Sequence, residues 1–355
     1  MAYDKKAWLE GQKQESREMV ESIVNGIIEL ADAGAKFEYG WNRVQFMARN
    51  FTTGTIYKGC NALNLSIQAA ARGATDLRFA TWNAIKGSAL KQGKKATLKD
   101  GAMPFLVWKP TPYRVKAKKT AEGEEDSFIS RLGFTPCHVW NIEDVQGIDL
   151  PKVNANELET FDENTFFEEL FKAFGVKIVY GGGEAFYRRT DDEIHLPEKK
   201  NFKNEAAFYA TALHEFYHWT GDAKRDNRTK GAVFGDENYA KEELRAEIFS
   251  AIAASIFGLG ERQDASAAYL KNWASSVKGE FNNNIMAAAR DAMRILDAVI
   301  DLANGNAPKL AWAKEMDFSN VPAPFKISDE EKKWLAEQDS QNKTDENEEP
   351  EKMAA

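Results

Sequence analysis

Apolar positions along the chain repeat with two periods, and the order in which the periods change divides the molecule. Residues 1–35 are largely polar, but Met19, Ile23, Ile27, Ile28 and Leu30 form a stripe that predicts one long helix ended by Ala33-Gly34. Asn61-Ala-Leu-Asn-Leu-Ser-Ile-Gln-Ala-Ala-Ala predicts a helix stopped at Gly73, and Thr81-Trp-Asn-Ala-Ile-Lys begins a short one near Gly87. Residues 102–109 and 134–141 read as strands, with the charged run 116–127 as a mobile hairpin loop between them. Residues 165–173 return to the helical period, and 176–180 read as a strand broken by Gly181-Gly-Gly183. Residues 185–189 and 193–196 predict a hairpin closed through Thr190-Asp-Asp192. From there the pattern is helical: 205–220 between the N-cap Asn204 and the stop Gly221, then 238–257, 267–281 and 285–302.

These elements predict an α+β fold in two parts. Residues 1–150 form an α+β module, 151–158 a linker, and 159–336 a mainly helical domain with a small antiparallel sheet. The tail 337–355 carries seven acids and two lysines with little apolar content, the composition of a disordered segment. No stretch of about 18 apolar residues is present to span a membrane. The first residues lack the apolar core of a signal peptide, and Cys60 and Cys137 lie in separate regions that do not make a disulfide framework. Together these features predict a cytoplasmic protein.

Charge changes the picture of the first part. The chain has a net charge of −8, but between Lys36 and Lys119 it carries 16 Lys and Arg against 3 acids. Residues from 151 onward are acidic instead, with 26 bases and 38 acids. Aromatics are interleaved with the cations of the basic region. Cations neutralise phosphates while ring faces stack on exposed bases, a combination that suits single strands better than duplex. Tyr57, Lys58, Arg78, Trp82, Lys86, Lys94 and Lys95 are the contact candidates, whereas Phe105, Trp108 and Trp140 lie in apolar strands and are assigned to the core. No helix-turn-helix or zinc-finger pattern for reading a major groove is found.

The chemistry of the second part is concentrated in His214-Glu-Phe-Tyr-His218, which holds two of the chain's four histidines. On a helix these two lie one turn apart on one face, able to bind one ion with Glu215 beside the activated water as general base. A third ligand is sought downstream, because the cysteines are remote and His138 and His195 precede the pentapeptide. Of Glu242, Glu243 and Glu247 on the next helix, Glu243 is preferred and Glu247 is second. Two imidazoles and one carboxylate suit Zn²⁺ with one open position, and the same donors accept Mn²⁺ or Co²⁺. A hairpin, an H-E-x-x-H helix and a glutamate helix in this order are the minimal layout of a zincin. Tyr187 and His195 could stabilise an oxyanion, but packing or surface roles suit them better.

Two blocks carry a resemblance to a known family. In the first part they are Tyr57-Lys-Gly-Cys-Asn-Ala-Leu-Asn-Leu, Arg78-Phe-Ala-Thr-Trp82 and Val139-Trp-Asn-Ile-Glu-Asp-Val-Gln-Gly147. In the second they are Tyr209-Ala-Thr-Ala-Leu-His-Glu-Phe-Tyr-His-Trp-Thr-Gly221, Arg225-Asp-Asn-Arg228 and Phe234-Gly-Asp-Glu-Asn-Tyr-Ala-Lys-Glu-Glu-Leu-Arg-Ala-Glu247. The chain resembles ArdC-type antirestriction proteins, whose N-terminal module is shared with TraC-type plasmid primases. The resemblance implies a single-stranded-DNA-binding module joined to a zincin-like metallopeptidase domain that protects incoming plasmid or phage DNA from restriction. It also implies metal ligation by His214 and His218, Glu215 as catalytic base, and support for Glu243 as third ligand. A protein substrate would be of unknown identity. The alternative is a protein that coats single strands and uses the metal only for structure.

Overall fold

The N-terminal stripe becomes α1 (Lys5–Ala33), in which Met19, Ile23, Val24 and Ile27 are buried. The computed structural model describes residues 5–33, 48–74, 76–116, 128–150, 163–229, 235–257, 259, 267–325 and 329–337. The expected linker 151–158, the tail beyond Glu337 and all of the expected loop 116–127 except Lys116 lie outside them.

A four-stranded sheet organises the basic module. Its order is β1 (Arg49–Asn50), β2 (Arg78–Ala80), β5 (Phe128–Asn141), β4 (Phe105–Lys116), with β1 parallel to β2 and the other pairs antiparallel. Strand alternation sorts the side chains onto two faces. Phe79, Phe105, Val107 and Val139 form one cluster with Leu65 and Ala69 of α2 (Cys60–Ala71). Ala80 on the other face joins Phe51, Ile142 and Ile85 and Ala89 of α3 (Trp82–Lys91). Phe105 is buried as expected, but Trp108 and Trp140 are only half-buried. The ladder edge of β4 is covered by α2. Asn61 donates to the Trp108 carbonyl and accepts from its N–H, at 2.8 and 2.7 Å, and Asn64 donates to the Leu106 carbonyl at 2.7 Å. These bonds occupy backbone groups that would otherwise template another strand. A small pair, β3 (Thr97–Leu98) and β6 (Val145–Gln146), completes the module.

The second part begins with α4 (Glu163–Ala173) and a three-stranded sheet of order β7 (Lys177–Tyr180), β9 (Glu193–Leu196), β8 (Phe186–Arg188). The expected β8–β9 hairpin is antiparallel, but β7 pairs parallel to β9, so the sheet is mixed rather than wholly antiparallel. Gly181 and Gly182, at φ +135° and +74°, turn the chain after β7 and let it cross to the far side of β9. Four long helical elements follow: α5 (Glu205–Thr220), α6 (Glu237–Phe257), α7 (Ala267–Ser276) and α8 (Phe281–Ala303). Phe166, Phe167, Phe171, Phe174 and Phe216 fill the space between α4 and α5.

The two chain ends are exchanged between the parts. Helix α1 packs on α2 but also on α6, α7 and α8, and its Ile23, Val24 and Ile27 belong to the core of the second part. In the opposite direction, a helix formed by residues 329–337 (α9) returns to the first module. There Arg49 Nη1 lies 3.1 Å from both Glu331 carboxylate oxygens, and the Trp334 ring centre lies 6.4 Å from that of Phe51. Among the described residues no helix is long and apolar enough to cross a membrane.

Candidate metal centre

Helix α5 is built to hold buried polar groups in register. Asn204 caps it by accepting the Ala207 N–H at 2.8 Å, and nearly every residue along it is buried. Ala207, Ala210 and Ala212 keep the helix slim enough for close packing against α6. His214, Glu215 and His218 are thereby carried into the interior, with His214 and Glu215 at 6% and 7% exposure. The helix ends at Gly221, whose φ of −79° is ordinary, so positive φ is not why glycine stands there. The reason is close approach: a Cβ there would lie 2.8 Å from Glu242 Oε1 and 3.1 Å from Arg228 Nη2.

The His214 and His218 Nε2 atoms lie 3.1 Å apart. Glu243 on α6 faces both, with carboxylate oxygens 3.7 Å from His214 Nε2 and 3.6 Å from His218 Nε2. One donor atom from each of the three residues falls within 4.8 Å of the others. With metal–ligand bonds of about 2.0–2.2 Å, tetrahedral donors sit roughly 3.3 Å apart, so this spacing fits one divalent ion. The other two glutamates stand behind the rings. Glu247 Oε1 is 3.9 Å from His214 Nδ1, and Glu242 Oε1 is 3.9 Å from His218 Nδ1. Arg228 fixes Glu242 at 3.1 Å and also donates to the Tyr217 carbonyl at 2.7 Å. Carboxylates in such positions orient a ligating imidazole and raise its basicity.

The electrostatics call for a cation. Burial works against a charged His218, but Glu242, Glu243 and Glu215 outweigh it and push the imidazole up to about 10. Burial raises the Glu242 and Glu243 carboxyls, yet the facing histidines, with Arg228 beside Glu242, bring Glu242 down to about 2 and Glu243 well below its ordinary value. The pocket therefore combines two converging imidazoles with excess negative charge. Tyr239, one turn before Glu243 on α6, carries a hydroxyl bonded to that carboxylate; burial and Glu243 raise its pKa. Sequence reasoning passed over Tyr239, although its i,i+4 spacing to Glu243 was the available signal. Tyr187 and His195 are engaged elsewhere. The Tyr187 hydroxyl donates to Asp192 at 2.8 Å and accepts from Arg225 at 3.1 Å, while His195 stacks on Phe186 with ring centres 4.7 Å apart.

The nucleic-acid candidates are dispersed. Tyr57 is half-buried against the α2 face of the sheet, and burial pushes its phenol up to about 12. Lys58 Nζ lies 2.5 and 2.6 Å from the carboxylate oxygens of Asp301 on α8, and buried Arg78 pairs with Asp76 at 2.6 Å. Lys94 pairs with Asp149. Trp82 lies at the rim of the α3 cluster, and exposed Lys86 and Lys95 have no carboxylate partner among the described residues.

A pair of histidines on one buried helix, faced by glutamates of the next and preceded by a small sheet, defines a zincin-like domain. Residues 165–291 accordingly match the family described as zincin-like metallopeptidase. Residues 17–132 match the N-terminal domain of anti-restriction factor ArdC. Two Escherichia coli proteins named DNA primase TraC are 34% and 35% identical over 296 and 297 residues, 79% of this chain in each case. The chain spans only 20% and 27% of the length of those primases. The structure is similar to the metal-free crystal structure of the antirestriction protein ArdC from plasmid R388, at 28% identity and a TM-score of 0.54. That alignment covers 72% of this chain and 88% of the other. The Mn(II)-bound structure of the R388 protein aligns with a TM-score of 0.52 at 27% identity, covering 71% of this chain and 87% of the other. The chain belongs to the ArdC-type antirestriction family.

Proposed function

We propose that this protein binds single-stranded DNA through its first module and protects it from restriction with the help of a metal-dependent peptidase-like second domain. The observation that carries the second half is the convergence of His214, His218 and Glu243 within 4.8 Å. These three residues are the proposed ligands, with Zn²⁺ as the proposed ion; the Mn(II)-bound structure of R388 ArdC supports a divalent ion. Bound there, a divalent ion supplies Lewis acidity and lowers the pKa of a coordinated water. Glu215, buried between the two histidines in sequence, accepts the proton of the water that attacks a peptide carbonyl. Glu242 holds the His218 ring from behind, Glu247 stands beside the His214 ring, and Tyr239 holds Glu243. The single-strand assignment draws support from the ArdC N-terminal match, the similarity to TraC primases and the 16-to-3 excess of bases between Lys36 and Lys119.

Glu215→Gln tests the reading, because it keeps a side chain of the same shape but removes the base. Calorimetric titration with Zn²⁺ should give wild-type affinity, single-strand binding should be unchanged, and peptide cleavage and protection from restriction should both be lost. Cleavage that survives the substitution would end the peptidase assignment. Full protection without cleavage would leave a protein that acts by coating DNA and uses the metal to stabilise its fold.

A further inference from the structure

We propose that the single strand follows a row of rings formed by Trp82, Trp140 and His138, flanked by Lys86 and Lys95, and does not pass through the Tyr57-Lys58 segment. This path rests on the single-strand reading above and gives it a location. Strand register places His138 and Trp140 on one face of β5, two residues apart, with Trp140 opposite Ala80 of β2. Trp82 at the start of α3 lies over the same face. Its ring centre is 6.2 Å from that of Trp140, which is 6.4 Å from that of His138. None of the three is buried; the His138 side chain is 45% exposed. The arrangement, with the ring planes tilted by 53° and 47° to one another, gives each ring a face of its own and not a continuous stack. It suits a strand whose bases are unstacked from one another and laid against protein rings, which is how sequence-tolerant single-strand binders work.

Charge chooses the occupant. Lys86 is one turn beyond Trp82 on α3 and so lies on the same side of that helix. Lys95 adjoins Ala96, a buried member of the cluster that Trp82 and Trp140 rim. Neither lysine meets a carboxylate among the described residues. The other cationic candidates are held by Asp301, Asp76 and Asp149. Glu15 of α1, 3.8 Å from His138 Nε2, puts an acid at the His138 end of the row. A polyanion with flat, stackable bases matches partly exposed rings beside two cations that meet no carboxylate among the described residues.

The test uses the full-length protein and a fluorescein-labelled dT oligonucleotide, with anisotropy measured at several salt concentrations. His138→Ala and Trp82→Leu should each weaken binding on the order of 5- to 100-fold, the range for losing one stacked base. Lys86→Ala should lower the slope of log affinity against log salt by about 0.7, one phosphate contact on a single strand. Tyr57→Phe should bind as wild type. His138 and Lys86 are exposed, so their variants report on binding even if Trp82→Leu fails to fold. Wild-type affinity in both His138→Ala and Lys86→Ala, with the parent binding DNA tightly, would overturn this path and leave the single-strand reading intact. If the parent protein does not bind the oligonucleotide, both fall together.

Discussion

Removing the carboxylate of Glu331 should unfold the protein at markedly lower denaturant concentration, although the residue lies far from the metal centre. Arg49 and Glu331 side chains are 9% and 8% exposed, and Arg49 Nη1 lies 3.1 Å from both Glu331 oxygens. In Glu331→Ala the buried guanidinium is left without its counter-charge. Breaking a buried pair in this way costs about 3–5 kcal/mol. With a urea dependence near 3 kcal/mol/M, the midpoint should fall by roughly 1–1.7 M. Circular dichroism during urea unfolding measures this directly. The double replacement Arg49→Met with Glu331→Leu should recover most of the loss, because it removes both charges and keeps apolar volume. A midpoint for Glu331→Ala within about 0.3 M of wild type would refute the reasoning, since it would mean that α9 leaves the module without penalty.

Other substitutions probe the metal centre and the contact between the two parts. Tyr239→Phe removes the hydroxyl that holds Glu243 and should weaken Zn²⁺ binding about tenfold in calorimetry, while helix content is unchanged. Gly221→Ala introduces a methyl against Glu242 Oε1 and should also weaken metal binding about tenfold, through the support of His218; wild-type affinity would show that Glu242 can move away freely. Burial pushes the Asp297 carboxyl up to about 6 from its ordinary 3.8, opposed by the Gly59 N–H and Lys58 and helped by nearby Asp301. Because the folded pKa is raised, the stabilisation is complete below about pH 4 and is lost as pH rises through 6. Asp297→Asn should therefore be more stable than wild type at pH 7 by about 3 kcal/mol, with the gap closing as pH falls toward 4 in parallel unfolding titrations.

Most elements could be read from local pattern. The α5 boundaries follow from Asn204 as cap and Gly221 as stop, and both hold in the structure, although Gly221 is required by the approach of Glu242 and not by its own φ. The mixed character of the second sheet could not be read, because β7 meets β9 across a turn whose direction depends on Gly181 and Gly182, not on strand pattern. Within the metal centre, helical spacing brought His214 and His218 together and singled out the three glutamates. The division of labour among them depends on how α6 is rotated against α5, which sequence does not state. Glu243 faces both Nε2 atoms, while Glu242 and Glu247 face the Nδ1 atoms. Pairings over long separations were invisible for the same reason. Lys58 with Asp301 and Arg49 with Glu331 each join residues more than 200 positions apart, so composition alone counted these cations as available to DNA or left them unremarked.

The exchange of chain ends sets a schedule for synthesis. Helix α1 leaves the ribosome first, but α6, α7 and α8, which cover Ile23, Val24 and Ile27, begin only at Glu237. The gap is roughly 200 residues, on the order of 10–40 s of translation. Throughout that interval α1 has only the first module, through α2 and β5, to lie against, and that nascent module also waits for α9 to reach Arg49. Neither part can finish its fold until residues 329–337 are made, so the two parts must close together rather than one after the other as they emerge.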